Sequence, residues 1–239
     1  MGEIRVQEEI FEAYPSFRRG IVFASNIQNQ GPSELLESML KEAVEKAAER
    51  PIDLKSDPRI LTWADAHRGF GSNPNKFPPA HAALLKRVQK GGVRIPLINK
   101  VVAIMNYNSI TDAIPVGGDD VDRGGECLTL RYATGDELFS PLGDPDAREH
   151  VEAGEVIYVV EETGVVMCRR WNWRNGHATR ITDETTKIVM NVDGLGEDSE
   201  ERSLVTPDRV ARMLMEHCRA ETTTAMLSPS QPSVTFPFK

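Results

Sequence analysis

The sequence predicts an α/β fold, a single domain in which a mixed β-sheet carries flanking helices. Two patterns and a length point there. Between residues 33 and 47 apolar side chains recur at helical spacing, as Leu35, Leu36, Met39, Leu40, Ala43, Val44 and Ala47, with Lys and Glu on the other face. After residue 127 the pattern changes to short β-branched runs such as Cys127–Tyr132 and Glu155–Val160. Helices first and strands later, on a 239-residue chain that is 40% hydrophobic, suit one domain over residues 1–220 with a short tail, 221–239.

The elements follow in order. Residues 4–12 alternate charged and apolar positions until Tyr14-Pro15 breaks the pattern. Gly20–Ser25 reads as a short buried strand and Asn26–Gly31 as a loop. Ser33 is placed to cap the helix that follows Pro32. Residues 51–79 hold Pro51, Pro58, Pro74, Pro78 and Pro79 with Gly69 and Gly71, which predicts a long irregular connection of the kind that is often functional. A second helix is predicted from Pro79 to Lys90, with Leu84, Leu85 and Val88 inward and Gly91-Gly92 ending it. Ile98–Ile110 is amphipathic with a period that suits helix or strand. Glu155–Val160 and Val165–Cys168 read as a hairpin around Gly164, and Lys187–Val192 as a further strand. Thr206 as N-cap and Pro207 as first residue open a last helix that runs to about residue 219. From Glu221 the chain is rich in Ser, Thr and Pro and predicts an extended or mobile tail. Its Phe236 and Phe238 are suited to clip onto the body or onto a neighbouring subunit.

Charge and cysteine usage exclude several classes. A net charge of −8 argues against a protein that coats nucleic acid by bulk electrostatics, and leaves a local basic groove open. Cys127, Cys168 and Cys218 are widely spaced and odd in number, so neither a zinc ribbon nor a disulfide framework is expected. Met1–Arg5 lacks the apolar core of a secretory signal, and no run is long enough to span a membrane. The expectation is a soluble, cytoplasmic protein.

One segment concentrates chemistry. Cys168–His177 holds three arginines, two tryptophans, two asparagines and a histidine. Continued strand alternation would put Arg170 and Asn172 on one face and Arg169, Trp171 and Trp173 on the other. Guanidinium forks suit phosphates and indoles suit a stacked base or ring. The same composition also fits tryptophan core anchors with arginines as their solvent-facing neighbours. Elsewhere the chain has no phosphate loop, no dinucleotide fingerprint and no nucleophile elbow. His67, His81, His150, His177 and Cys127 lack metal-ligand spacing, so no metal and no cofactor are expected. Gly117-Gly118 and Gly124-Gly125 read as turn glycines, with Asp119, Asp120 and Asp122 as a short acidic loop.

Several segments resemble one family. Ile98–Tyr107 resembles the N-x-V-V-D-x-x-N-Y segment of the B3/B4 editing domain of the phenylalanyl-tRNA synthetase beta subunit. Ile181–Thr186 resembles its V-x-x-E-T-T step, and Gly135-Asp136-Glu137 its R-x-G-E turn, in the same order. Free-standing proteins made of this domain are closer still: their W-x-x-x-Y/H-R-x-F-G-x-x-P stretch is similar to Trp63–Pro74, and their C-R-R-W-N-W-R to Cys168–Arg174. The resemblance covers about residues 15–195. It implies a three-layer, α/β/α-like fold around a mixed sheet. It also implies hydrolysis of an amino acid wrongly esterified to the tRNA 3′ end, in the synthetase tyrosine, here in trans. Where the synthetase has a G-x-M-G-G loop and an acidic residue, this chain has Asn172–His177, so an amino acid other than tyrosine is expected.

On that resemblance, Asn172, Asn175 and His177 are the expected catalytic groups. Asn106, Ser109, Trp171 and Trp173 are expected around the substrate, and Arg169, Arg170, Arg174 and Lys76 at the phosphates of a tRNA acceptor end. An aminoacyl ester is already activated, so a held water and an oxyanion donor suffice without a strong nucleophile. Two other readings stay open. One is a binding module for tRNA, a nucleotide or an amino acid without turnover. The other is an interaction protein whose tail docks a partner or makes a homodimer.

Overall fold

A computed structural model of the chain describes residues 2–91 and 94–237. The elements run β1 (Glu3–Val6), α1 (Glu8–Ala13), β2 (Arg18–Ser25), α2 (Glu34–Glu49), α3 (Pro58–Gly69), α4 (Ala80–Gln89) and α5 (Lys100–Asp112). Next come β3 (Val116–Asp120), β4 (Cys127–Tyr132), β5 (Leu138–Phe139), β6 (Glu149–His150), β7 (Val156–Val160), β8 (Val165–Arg169) and β9 (Arg174–Asn175). The last are β10 (Ile188–Gly194), α6 (Ser199–Cys218), β11 (Glu221–Leu227) and β12 (Ser233–Thr235).

The α/β class stands, and its strands divide into two sheets. A four-stranded antiparallel sheet has the order β11-β2-β10-β3. The other runs β12-β1-β4-β7-β8-β5-β6 with β9 on β8; it is mixed because β1 joins β4, and β5 joins β8, in parallel. Alternation along the strands says what each face meets. From β2 and β10, Val22, Ala24, Ile188, Met190 and Val192 pack against the helices. Ile21, Phe23 and Val189 from the same strands pack against Leu128, Leu130, Tyr158 and Met167 of the mixed sheet. The layers are therefore helices, small sheet, mixed sheet, which corrects the α/β/α-like order. Both faces of β10 are covered, and all seven of its residues are buried.

Capping explains the helix starts. The Ser33 hydroxyl accepts from Leu36 N–H at 3.4 Å, and Asn99 accepts from Val102 N–H at 2.9 Å. The connection expected over 51–79 instead contains α3, which Asp57 caps and Pro58 opens. Its buried face is Ile60, Trp63, Ala66 and His67, too mixed in polarity to read as an apolar stripe. Helix α6 starts at Ser199 rather than at Thr206, so Pro207 lies inside it. A proline there leaves the Ser203 carbonyl without its helical donor. That turn lies directly on Gly20 of β2, where an added Cβ would fall 2.4 Å from the Ser203 oxygen.

Residues 221–235 form two strands joined by a turn at 228–231, and they are integral to the fold. β11 pairs with β2 and β12 with β1, so they form an edge of each sheet. Phe236 clips onto the body, with its ring 5.6 Å from Phe23. Phe238 lies outside the described residues. Among the described residues no helix is long and apolar enough to cross a membrane.

Candidate functional site

The site begins where β8 ends. Arg170 and Trp171 are consecutive non-glycine residues in the left-handed region, at φ 47° and 63°. The Asn172 N–H donates to the Arg170 carbonyl at 2.8 Å and closes a three-residue turn. Each such residue costs about 1–3 kcal/mol and persists only where its surroundings over-determine it. Here they do. The Trp171 ring is fully buried, edge-on to Tyr14 at 4.9 Å, Phe17 at 5.0 Å and Trp63 at 5.0 Å. Arg169 forks onto Glu155 at 2.8 and 2.9 Å and reaches Glu149 at 3.2 Å. Arg170 pairs with Glu152 at 3.1 Å and lies 3.9 Å from the Phe77 ring centroid.

This turn delivers Asn172 into a cavity of about 60 Å³ between the two sheets. One wall is Tyr158, Cys168, Trp171, Asn172 and Asn175 from the mixed sheet and its turn. The other is Gly117, Asp119, Asn191 and Asp193 from β3 and β10. The Gly117–Asp119 segment is not the expected turn: it is a strand, with Gly117 opposite Asn191 and Asp119 opposite Val189. A Cβ on Gly117 would stand 3.1 Å from the Asn191 amide nitrogen, so glycine keeps this wall open.

The polar groups of the cavity have distinct states. Asp193 is 1% exposed, accepts from the Tyr158 hydroxyl, and has Arg19 Nε 3.7 Å from its other oxygen. Burial raises its pKa while Arg19 pulls it back. Asp119 has the Thr179 hydroxyl as donor at 2.5 Å, and burial lifts its carboxyl to about 6. Burial also keeps the Cys168 thiol protonated, so it is no ready nucleophile. Behind Asn172, fully buried His67 lies with Nε2 3.2 Å from the Asn172 side-chain oxygen. Burial lowers His67 to about 4, so the ring is neutral at pH 7, and its Nε2–H tautomer is the one that can donate to that oxygen. The Asn172 amide nitrogen is left as a buried donor without a hydrogen-bond partner, on a residue only 9% exposed.

The residues expected at a site separate clearly. Asn172, Asn175 and Trp171 line the cavity, with Asn175 exposed at its mouth. Trp171 takes part as a buried wall and not as an open stacking platform. Arg169 and Arg170 are buried in glutamate pairs and present no guanidinium to an outside phosphate, because the strand alternation stops at the turn. Arg174 is partly exposed and pairs with Glu149 at 2.9 Å; Lys76 is exposed, 5.0 Å from the Phe77 ring centroid. Trp173 packs on Phe77 at 4.7 Å, outside the lining. His177 is also outside it, with its backbone N–H on the Ser140 carbonyl at 2.9 Å. Ser109 holds the start of β3, its hydroxyl accepting from Val116 N–H at 3.2 Å. Asn106 is half-buried on α5 and does not line the cavity.

Tyr158, Asn191 and Asp193, which the sequence does not single out, line the cavity together with Asp119, which the sequence offers only as part of an acidic loop. One signal for two of them exists: Asn191 and Asp193 are the polar positions that alternate with Met190 and Val192 in an otherwise apolar strand. Among the described residues no group of three or more His, Cys, Asp or Glu side chains is arranged to hold a metal ion.

The B3/4 domain family profile matches residues 62–213, a range that contains both walls of the cavity. A comparison with curated protein sequences finds no match. Among solved structures the chain is similar to an N-terminal fragment of the phenylalanyl-tRNA synthetase beta-subunit from Pyrococcus horikoshii. The identity is 14% and the TM-score 0.47, over 92% of this chain and 49% of that one. The chain thus spans about half the length of that fragment.

Proposed function

The chain belongs to the B3/4 domain family, and from that premise we propose that its inter-sheet cavity hydrolyses the ester of a mischarged aminoacyl-tRNA in trans. The observation that carries this reading is the buried, unpartnered amide nitrogen of Asn172, a residue that lines a cavity with a carboxylate on its opposite wall. Such an amide suits the carbonyl oxygen of an ester, and more so the oxyanion that forms from it. Water attacks the carbonyl carbon, and Asn172 donates to the oxygen that gains charge. The bond from the carbonyl carbon to the ribose oxygen then breaks. The ribose oxygen takes up the proton that the water loses, which releases the amino acid and a free tRNA 3′ hydroxyl. His67 acts through Asn172 as a positioning residue. Arg174 and Lys76, at the surface beside the cavity turn, are the cations available to acceptor-end phosphates.

The test is deacylation of a panel of correctly and incorrectly charged tRNAs by substoichiometric protein. Loss of one mischarged species over many turnovers is expected, with Asn172→Ala slowing it about a hundredfold, the usual effect of losing one oxyanion donor. No turnover on any species would overturn the reading. A second reading, a module that binds without turnover, is favoured by one observation: the cavity lining holds no histidine, and its one thiol is kept protonated. Salt-sensitive tRNA binding without product would support it.

A further inference from the structure

Two carboxyl groups line the cavity, and one buried guanidinium, that of Arg19, lies near them. The carboxyl groups are those of Asp119 from β3 and Asp193 from β10. Asp193 is answered by Arg19 of β2 at 3.7 Å and by the Tyr158 hydroxyl. Asp119 has only a neutral donor, Thr179 at 2.5 Å. The other titratable groups facing Asp119 do not neutralise it. Tyr158 of β7 and Cys168 of β8 are both held in their neutral forms by burial, and Asp120 beside it adds negative charge. Arg19 is already shared with Asp193. The opposite wall supplies the unpartnered Asn172 amide nitrogen.

A carboxylate lacking a cation and an amide donor lacking an acceptor together match one chemical group. That group is an ammonium on the carbon next to a carbonyl, as in an α-aminoacyl ester. Size narrows it further. At about 60 Å³ the cavity holds roughly four to six water-sized groups. A glycyl, alanyl or seryl group matches that space, and a tyrosyl ring would have to project beyond it. We propose that the cavity admits small aminoacyl groups bearing a free α-ammonium, which Asp119 holds while Asn172 donates to the acyl carbonyl. The acyl part of this assignment rests on the hydrolase reading; recognition of the ammonium and of size does not.

Isothermal titration of the full chain at pH 7 tests it, using L-alaninamide, N-acetyl-L-alaninamide and L-tyrosinamide as probes. Alaninamide is expected to bind, and the acetylated and tyrosyl probes to bind at least about tenfold more weakly. Asp119→Asn keeps an oxygen for Thr179 and is expected to melt no lower than wild type, yet to lose alaninamide at least about tenfold. Gly117→Ala is a second variant that narrows the cavity from the same wall and is expected to weaken binding. Below about pH 6, where Asp119 takes up a proton, wild-type affinity is expected to fall about tenfold per unit. Binding of the acetylated or tyrosyl probe as tightly as alaninamide would overturn the proposal. So would undiminished binding by Asp119→Asn, or no binding of any probe. The two readings fail separately. Asp119-dependent alaninamide binding without tRNA turnover removes the hydrolase and keeps this assignment. Turnover of tyrosyl-tRNA alone keeps the hydrolase and removes it.

Discussion

The two walls of the cavity are built in opposite ways. The wall from β8 and its turn uses two left-handed residues, a four-ring aromatic cage and a set of buried arginine–glutamate pairs to place one amide. The wall from β3 and β10 uses plain strand pairing, a glycine and alternation to place two carboxylates and a second amide. The first wall holds the conspicuous side chains, and they serve as scaffold. The second holds the charge that a ligand would meet. Residues rich in chemistry need not be where the chemistry is, because a strained turn needs strong partners to hold it.

The largest expected effects break the first wall alone. Trp171→Ala empties the centre of the cage and is expected to cost about 3–5 kcal/mol, measured by urea unfolding. Arg169→Ala takes the bidentate partner from Glu155, only 2% exposed, leaving it Arg170 at 3.5 Å, and is expected to cost about 2–3 kcal/mol. Gly117→Ala, on the second wall, is expected to cost much less than either and to act on binding. Equal destabilisation by Gly117→Ala and Trp171→Ala would erase the distinction between a scaffold wall and a ligand wall.

The walls also titrate in opposite senses. His67 and, farther back on α4, His81 are buried and held at about 4 and about 3, against an ordinary 6.5. The unfolded chain therefore binds their protons first. Their contribution to stability is complete above pH 6.5 and is lost as pH falls toward 4 and 3. Asp119 is raised from 3.8 to about 6, so its contribution is present below 3.8 and is lost as pH rises through 6. Wild type is expected to lose stability between pH 7 and 4, with Asp119 partly offsetting the two histidines. Asp119→Asn removes that offset, so its loss over the same range is expected to be steeper. A flatter profile in Asp119→Asn would show that Asp119 is not the raised group.

What was legible in the sequence follows the same division. α2, β4, the β7–β8 hairpin and β10 were readable because one period and one cap or turn residue agree in each. α3 was not, since prolines surround it and Ala66 and His67 dilute its buried face. The start of α6 was misplaced because Thr206-Pro207 has the form of a helix opening; only Gly20 on a distant strand shows why that proline sits mid-helix. The Arg/Trp cluster was visible at once, but its orientation depends on the glutamates of residues 149–155, which sequence spacing does not bring near. Gly117–Asp119 has turn composition and becomes a strand only through its pairing with β10.

The smallest effect sharpens the comparison most. Within the conspicuous wall, Arg174 differs from its two neighbours: its side chain is 41% exposed, against 6% and 5% for Arg169 and Arg170. Its pair with Glu149 is a surface pair, so Arg174→Ala is expected to change stability by less than about 1 kcal/mol. If a tRNA acceptor end docks here, Arg174 contacts a phosphate, and the variant lowers affinity for every tRNA alike. The slope of log affinity against log salt should then fall by about 0.7–0.9, the share of one phosphate contact. Lys76→Ala is expected to do the same independently, since Arg174 pairs with Glu149 while Lys76 lies against Phe77, and their effects should add. An unchanged salt slope in both variants would mean that this wall is scaffold throughout, and that any nucleic acid approaches the cavity from the β3 side.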